Sequence, residues 1–418
     1  MIPVFSTASA TPRIATLAAS LMLLSQCVSG CVDDTLRDAS GHKGAAAVTA
    51  ERLLVVATDY GSTSLSWVDP ATMTVSSAGF LHSGTAVSAA GAALSGDVVL
   101  GSEGLPDGQF PVLDRSHSSV LWVGGETISQ WPLSDGFQAN PQDVWRHGDE
   151  IAVVRSQRDP TPTDSLLSGG DDVLLLNFDG APLARVPLDG EATLPGGVAF
   201  AGRGVRLGDR LWLPLASFSK DFSAIGAGRL VEVDLTQRTV AQHLAVPTLR
   251  NCTTLQSSSG VLMGTCSGFF QESETQQALH SGVFRLDPAT AEVKVVLTGD
   301  AIGGVVGFPV AVDGSRRAWI VRLGRLNNPP RPDEVWRLDP NGVDPPALVW
   351  QGSRGFAIGG IWYDASRRRL WVSDAGDAAG DLVVLDVGAP GSAMTLAARL
   401  RTQLGGLPAV HLAHRPAP

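Results

Sequence analysis

Cys252 and Cys266 flank the turn Ser257-Ser258-Ser259-Gly260, so two antiparallel strands meeting there would bring their thiols face to face. In an oxidising compartment such a pair closes a disulfide. No CxxC spacing or neighbouring His pair accompanies them, which argues against zinc. Asp374, Asp377 and Asp381 fall within one short stretch, and Asp59 would lie beside them if the chain closes on itself. Hard cations take several carboxylate oxygens, so calcium is the ion these acids could hold, although turn-forming Asp and Gly account for the same residues without a metal. The eight histidines are scattered, with only His411 and His414 close together. A GxSxG elbow, a P-loop and a GxGxxG are all missing, so the sequence predicts no catalytic residue and, calcium apart, no cofactor.

Cys31 sits in a different setting. The apolar run from Ile14 to Leu24 is followed by Val28-Ser29-Gly30-Cys31, and Arg13 is the only charge before it. A run this short, and this rich in Ser and Ala, does not comfortably cross ~30 Å of hydrocarbon. The segment resembles the lipobox of bacterial lipoprotein signal peptides. There, small residues admit the peptidase and the cysteine thiol takes up a diacylglycerol before cleavage. Cys27 is a poorer fit because Gln26 precedes it. The resemblance implies that residues 1–30 are a signal peptide and that Cys31 is the lipidated, palmitate-bearing first residue of the mature chain. It further implies a protein anchored in the bacterial cell envelope, periplasmic or cell-surface, with the membrane as a partner through its lipid.

Charge narrows the partners. The chain carries 31 basic and 41 acidic residues, a net charge of −10, and loss of residues 1–30 would remove Arg13 and no acid. An acidic chain is a poor match for nucleic acid or for an anionic membrane surface. Lysine occurs only at Lys43, Lys220 and Lys294, and arginine supplies nearly all the positive charge.

The elements that must position these residues are strands. Gly and Pro are plentiful, heptads are absent, and apolar residues come in short bursts, an all-β signature. Roughly 370 residues exceed what one sandwich holds, so a closed repeat architecture is expected. A pattern recurs about every 50 residues, the spacing of propeller blades. Its third strand ends in Ser66-Trp67-Val68-Asp69-Pro70, Leu174-Leu175-Leu176-Asn177, Val231-Glu232-Val233-Asp234, Phe284-Arg285-Leu286-Asp287-Pro288, Trp336-Arg337-Leu338-Asp339-Pro340 and Val383-Val384-Leu385-Asp386, with a degenerate copy at Val120-Leu121-Trp122-Val123-Gly124. Pro suits the second position of a type I turn and Asp accepts backbone amides two residues on, so these aspartates read as turn formers. Seven copies predict seven four-stranded blades. The first blade lacks an innermost strand before Leu53-Leu54-Val55-Val56-Ala57, and Leu407-Pro408-Ala409-Val410-His411-Leu412 is left over. Pairing of that C-terminal strand with the first blade would close the ring and remove two sheet edges, which predicts a monomer. Residues 31–50 then form a flexible tether and 51–418 a single propeller domain.

Gly359-Gly360-Ile361-Trp362-Tyr363-Asp364-Ala365-Ser366-Arg367-Arg368-Arg369-Leu370-Trp371-Val372-Ser373-Asp374, followed by Leu382-Val383-Val384-Leu385-Asp386, resembles a blade of the YVTN or quinoprotein-like propellers. Ala311-Val312-Asp313-Gly314-Ser315-Arg316-Arg317-Ala318-Trp319-Ile320-Val321 repeats it. The resemblance implies the fold over roughly residues 51–413 and is nearly silent about activity.

Antiparallel strands also sort the loops. The turn between second and third strands and the connection to the next blade share one face. The longest loops are expected there: 104–118, 157–170, 218–228, 268–280 and 324–332, on five adjacent blades. They carry Phe110, Phe218, Phe222, Phe269, Phe270, Arg115, Arg158, Arg325 and Arg331. Aromatics and arginine are the residue types that anchor interfaces. Phe218, Phe222, Phe269, Phe270, Arg325 and Arg331 are therefore the candidate binding residues, and a small satellite core of the phenylalanines is the simpler alternative. These features point to a lipid-anchored binding module whose ligand is a protein, a glycan or a small molecule. The competing reading is a propeller enzyme, a lactone hydrolase or quinoprotein-type oxidoreductase working in the central channel. Converging acids, amides or histidines at the channel mouth would favour it.

Overall fold

Leu53 to Ala57 are apolar on both sides because each blade is sandwiched between two others, so its middle strands bury both faces. The computed structural model describes residues 51–418 except 86–91, 106–107, 125–127, 259, 314–316, 328, 377–380, 390–391, 403–406, 408 and 416–418. Seven four-stranded antiparallel sheets form a ring. The first blade runs from inside outward as Ala409–Arg415, Arg52–Thr58, Thr63–Asp69 and Thr74–His82. The second is Val98–Leu100, Phe110–Asp114, Ser119–Val123 and Ser129–Pro132; the third Pro141–His147, Glu150–Arg158, Gly170–Asn177 and Pro182–Pro187. The fourth is Val205–Leu207, Arg210–Leu215, Gly228–Asp234 and Thr239–Val246; the fifth Cys252–Ser258, Val261–Ser267, Ser281–Asp287 and Glu292–Thr298. Val306–Val312, Ala318–Arg322, Glu334–Leu338 and Ala347–Gln351 make the sixth, and Ile361–Asp364, Arg369–Ser373, Leu382–Asp386 and Thr395–Leu400 the seventh.

The C-terminal strand closes the ring, with Val55 opposite Leu412 and Val56 opposite His411. This satisfies the inner edge of the first blade, which would otherwise present unpaired backbone groups. The core is divided among the seven junctions. Trp122 and Trp145 fill the second-to-third and third-to-fourth junctions, Trp319 the sixth-to-seventh, and Trp371 the seam where the seventh blade meets the first. Outer strands such as Thr239–Val246 alternate between exposed and half-buried positions, as expected of a strand with one wet face.

The strand-ending acids behave as turn formers. Asp69 Oδ1 accepts the amide of Ala71 at 2.7 Å, Asp287 that of Ala289 at 2.9 Å and Asp339 that of Asn341 at 2.9 Å.

Four blades, the third to the sixth, extend the long-loop face, and not five. Phe110–Asp114 is the second strand of the second blade, and Phe110 is buried in it. Pro111 made this stretch read as loop. Its carbonyl accepts from Gly101, so the missing N–H points to the side where the inner strand has already ended at Leu100, and no ladder bond is lost.

Candidate functional site

The long-loop face is held by polar residues at the start of the third strands. Ser118, Asp171, Ser281 and Asp333 stand six residues before the strand-ending residue of their blades, and Asp381 five before Asp386. Each is buried and reaches across to the connection leading into the next blade. Ser118 Oγ accepts the amide of Ala139 at 2.8 Å, and Ser281 Oγ that of Val306 at 3.0 Å. Asp171 accepts from Ala199 and Phe200 at 2.9 and 3.0 Å. Asp333 gathers the amides of Phe356, Ala357, Ile358 and Gly324 at 2.6 to 2.9 Å. Asp381 takes those of Thr402 and Ala409 at 2.9 and 3.0 Å. These contacts fix loop backbone that strand pairing does not reach. The repeat itself marks these positions, six residues upstream of the strand-ending residue and five in the seventh blade.

Across this frame runs a chain of phenylalanines. Phe218 and Phe269 are buried together with Val198 and Ala216, apart from the inter-blade cores. Phe200 stands edge-on to Phe218 at 5.3 Å, Phe222 lies 5.4 Å from Phe218, and Phe270 lies 6.1 Å from Phe269. Phe222 and Phe270 are exposed at 38% and 62%. The candidate aromatics thus divide into two that build a satellite core and two that face solvent. Tyr60 and Phe356 are exposed on the same face, at 70% and 60%. Tyr60, Phe222 and Phe356 have φ of 67°, 57° and 54°, a region that bulky side chains rarely adopt. Hydrogen bonds hold the strain: the amide of Phe356 donates to Asp333, that of Tyr60 to Thr58 Oγ1 at 2.9 Å, and that of Phe222 to the Ser219 carbonyl at 2.9 Å.

Arg325 and Arg331 pair their backbones with each other, at 2.7 and 3.1 Å, and both approach Glu274 in the helix Glu274–His280 of the preceding blade, at 3.0 and 3.2 Å. Burial, then repulsion from Arg322, lowers the Arg331 pKa from its ordinary value. Both arginines therefore brace two loops while Leu326 between them stays exposed. Cys252 and Cys266 sit opposite each other on the two inner strands of the fifth blade and are joined by a disulfide, Cα to Cα 3.9 Å.

The acids proposed for calcium are occupied otherwise. Asp374 accepts from the amide and hydroxyl of Ser353, Asp381 from Thr402 and Ala409, and Asp59 from Gly61 and Ser62 in its own turn. Asp377 lies outside the described residues, as does Cys31. Among the described residues no three His, Cys, Asp or Glu side chains converge on a common point.

The inner edges of the blades hold a second polar group. Asp143 is fully buried, accepts from Ser102 Oγ at 2.7 Å and lies 3.7 Å from Arg203 Nε. Burial raises its pKa to about 6 against the pull of Arg203 and Ser102. Arg206 donates to both oxygens of Glu103 at 3.0 and 3.2 Å, which ties the second blade to the fourth. His411, on the closing strand, is pushed down to about 3 by burial and by Arg115 and Arg203, so its imidazole is neutral. A carboxyl that exchanges its proton near pH 6 has acid–base capacity, and the Ser102 hydroxyl is its hydrogen-bond partner. None of these residues was visible as a site in the sequence, because they come from blades far apart in the chain.

The seven-bladed propeller is the class that fold and site define. No family model and no curated protein matches the chain. Among solved structures it is similar to a 6-phosphogluconolactonase candidate from Bacteroides uniformis, at 14% identity and TM-score 0.55, covering 88% of this chain and 100% of that one. It is also similar to a hypothetical selenium-binding protein from Sulfolobus tokodaii (9%, 0.53, 88% and 92%) and to hydrazine synthase of Kuenenia stuttgartiensis (10%, 0.52, 80% and 95%). At such identities the likeness is one of fold. Among the described residues no helix is long and apolar enough to cross a membrane.

Proposed function

We propose that this protein is a lipid-anchored, extracytoplasmic recognition module that engages a partner through the long-loop face of its propeller. The observation that carries the reading is the placement of the exposed aromatics. Of the five aromatics exposed among the described residues, Tyr60, Phe222, Phe270 and Phe356 lie on that face, together with Leu279 and Leu326; Phe308 lies on an inner strand, Leu183, Leu348 and Leu396 on outer strands, and Val343 in a short turn. Exposed apolar side chains gathered on one face and held in strained backbone mark contact surfaces better than they mark solvated loops. The lipobox-like segment at Val28-Ser29-Gly30-Cys31 supplies the anchor. Glu51, where the tether would join the ring, accepts a hydrogen bond at 2.6 Å from Arg367, in the turn joining the first two strands of the seventh blade, on the short-turn face.

The test places a photo-crosslinking side chain at Phe270 or, as control, at Val343 in the producing cell. Adducts at Phe270 and none at Val343 support the reading. Equal labelling at both positions, or none at Phe270, overturns it. Intact-mass analysis of the mature N-terminus checks the anchor, with a diacylated Cys31 as the expected species and an unmodified Cys31 as the refuting one.

A further inference from the structure

We propose that the cleft between the connection 133–140 and the loop 159–169 binds a neutral saccharide, an assignment that rests on the recognition reading and gives it a ligand class. The cleft holds about 570 Å³ and is lined by Asp135, Phe137, Gln138, Gln157, Arg158 and Thr161 among others. That volume is within the range of about 300–1,000 Å³ usual for small-molecule sites. Its walls are fixed. The amide of Gln157 donates to the Ala139 carbonyl at 3.1 Å, and Ser134 and Ser118 donate to the Phe137 carbonyl at 2.6 and 3.2 Å.

Two of the three charged groups of the cleft are engaged from within, and Asp135 is exposed. Asp159 accepts from Ser168 Oγ at 2.5 Å and from the Thr161 amide at 2.8 Å, and the Ser168 hydroxyl is the leading cause of its lowered pKa. Arg158 lies 3.4 Å from Asp171 and 3.9 Å from Asp189. An anionic ligand that depended on Arg158 would find it already engaged by carboxylates. What faces the cleft uncommitted is amide: Gln138 and Gln157 make no side-chain hydrogen bond to any described residue. Each amide offers both donors and an acceptor, the complement of a hydroxyl that both donates and accepts. Phe137 is half-buried, with the fully buried Arg155 guanidinium 5.8 Å from its ring centre. That contact covers one side of the ring and leaves the remainder to line the cleft as an apolar platform. An apolar ring flanked by neutral donor–acceptor groups suits a sugar, whose ring presents C–H on one side and hydroxyls at its edge. An organic anion, which only accepts, would leave the amide carbonyls without a donor.

The experiment titrates the full-length protein in detergent with neutral trisaccharides of glucose, galactose and N-acetylglucosamine, alongside a trigalacturonate and a tri-alanine peptide. Saturable binding of at least one neutral trisaccharide, weakened at least tenfold in Gln157→Leu and in Phe137→Ala, is the expected result. Should Phe137→Ala unfold, Gln138→Leu takes its place, because that side chain is exposed. Binding of the charged sugar or the peptide alone overturns the proposal, as does binding of no neutral sugar or binding that all three variants retain. Crosslinking from Phe270 in the same variants separates the two readings: adducts that persist with an empty cleft leave the recognition face standing and remove only its saccharide.

Discussion

Gly228 stands where a side chain would collide with the disulfide, since a Cβ at that position would lie 2.5 Å from Cys252 Sγ. Gly228 is the fourth-blade counterpart of Ser118, Asp171, Ser281 and Asp333, six residues before the strand-ending Asp234. Here the polar clip is missing, and at the first blade the equivalent Thr63 hydroxyl makes no hydrogen bond either. The backbone amide of Gly228 donates to the Leu249 carbonyl at 2.8 Å, and the sulfur occupies the room that a carboxylate takes at other junctions. The cystine lies within the fifth blade and packs against Gly228, so this junction is held by backbone pairing and packing in place of a side-chain clip.

Gly228→Ala is expected to destabilise the parent by about 1–3 kcal/mol through overpacking and to cost clearly less in a Cys252→Ala/Cys266→Ala background, where the sulfur is gone. The double cysteine variant itself should lose on the order of 3 kcal/mol, the loop-closure value for its 14-residue separation. Chemical denaturation of the four proteins checks both statements. Equal effects of Gly228→Ala in the two backgrounds would show that sulfur and glycine are not coupled.

The two kinds of phenylalanine should separate cleanly. Phe218→Ala removes a buried ring from the satellite cluster and should cost about 3 kcal/mol, whereas Phe270→Ala, at 62% exposure, should stay within about 0.5 kcal/mol. Thermal unfolding reads the difference.

Asp143 gives stability a pH dependence of known sign. Its folded pKa is raised from 3.8 to about 6, so its contribution is fully present below pH 3.8 and is lost as pH rises through 6. Asp143→Asn carries no charge at any pH. Its stability relative to the parent should rise by roughly 2 kcal/mol between pH 4 and pH 7, and a flat difference would contradict the assignment. His411 acts in the opposite direction: its folded pKa is lowered, so protonation below about 6.5 costs stability, and the paired comparison removes that shared background.

Deleting residues 409–418 uncovers the inner edge of Arg52–Thr58 and takes Ala409 from Asp381 and Leu412 from the seam between the last and first blades. Loss of such contacts should lower the melting temperature by at least about 5 °C and promote self-association through the open edge. A monomer with unchanged melting would mean that the strand contributes little to closure.

Much of the architecture was legible because a propeller is a local pattern written seven times. The Asp-Pro turns fix where third strands end, apolar bursts fix the middle strands, and the orphan segment around Val410 and Leu412 declares its pairing by elimination. The disulfide could be read because Cys252 and Cys266 lie on one hairpin, where register follows from turn position. Phe110 was misplaced because Pro111 is a loop signal unless its missing N–H is known to face an ended strand.

What the tertiary structure alone decided are relationships between blades. Sequence could mark Phe218, Phe222, Phe269 and Phe270 as one set, but which rings pack and which face water depends on how two loops lean on each other. Asp143 with Arg203, Glu103 with Arg206 and Gln138 with Gln157 are brought together by closure of the ring or by apposition of loops, over separations that no local spacing encodes. The repeat determines the fold because every blade must bury the same faces. It leaves the site undetermined because a site arises where the repeats differ, and only the ring places those differences side by side.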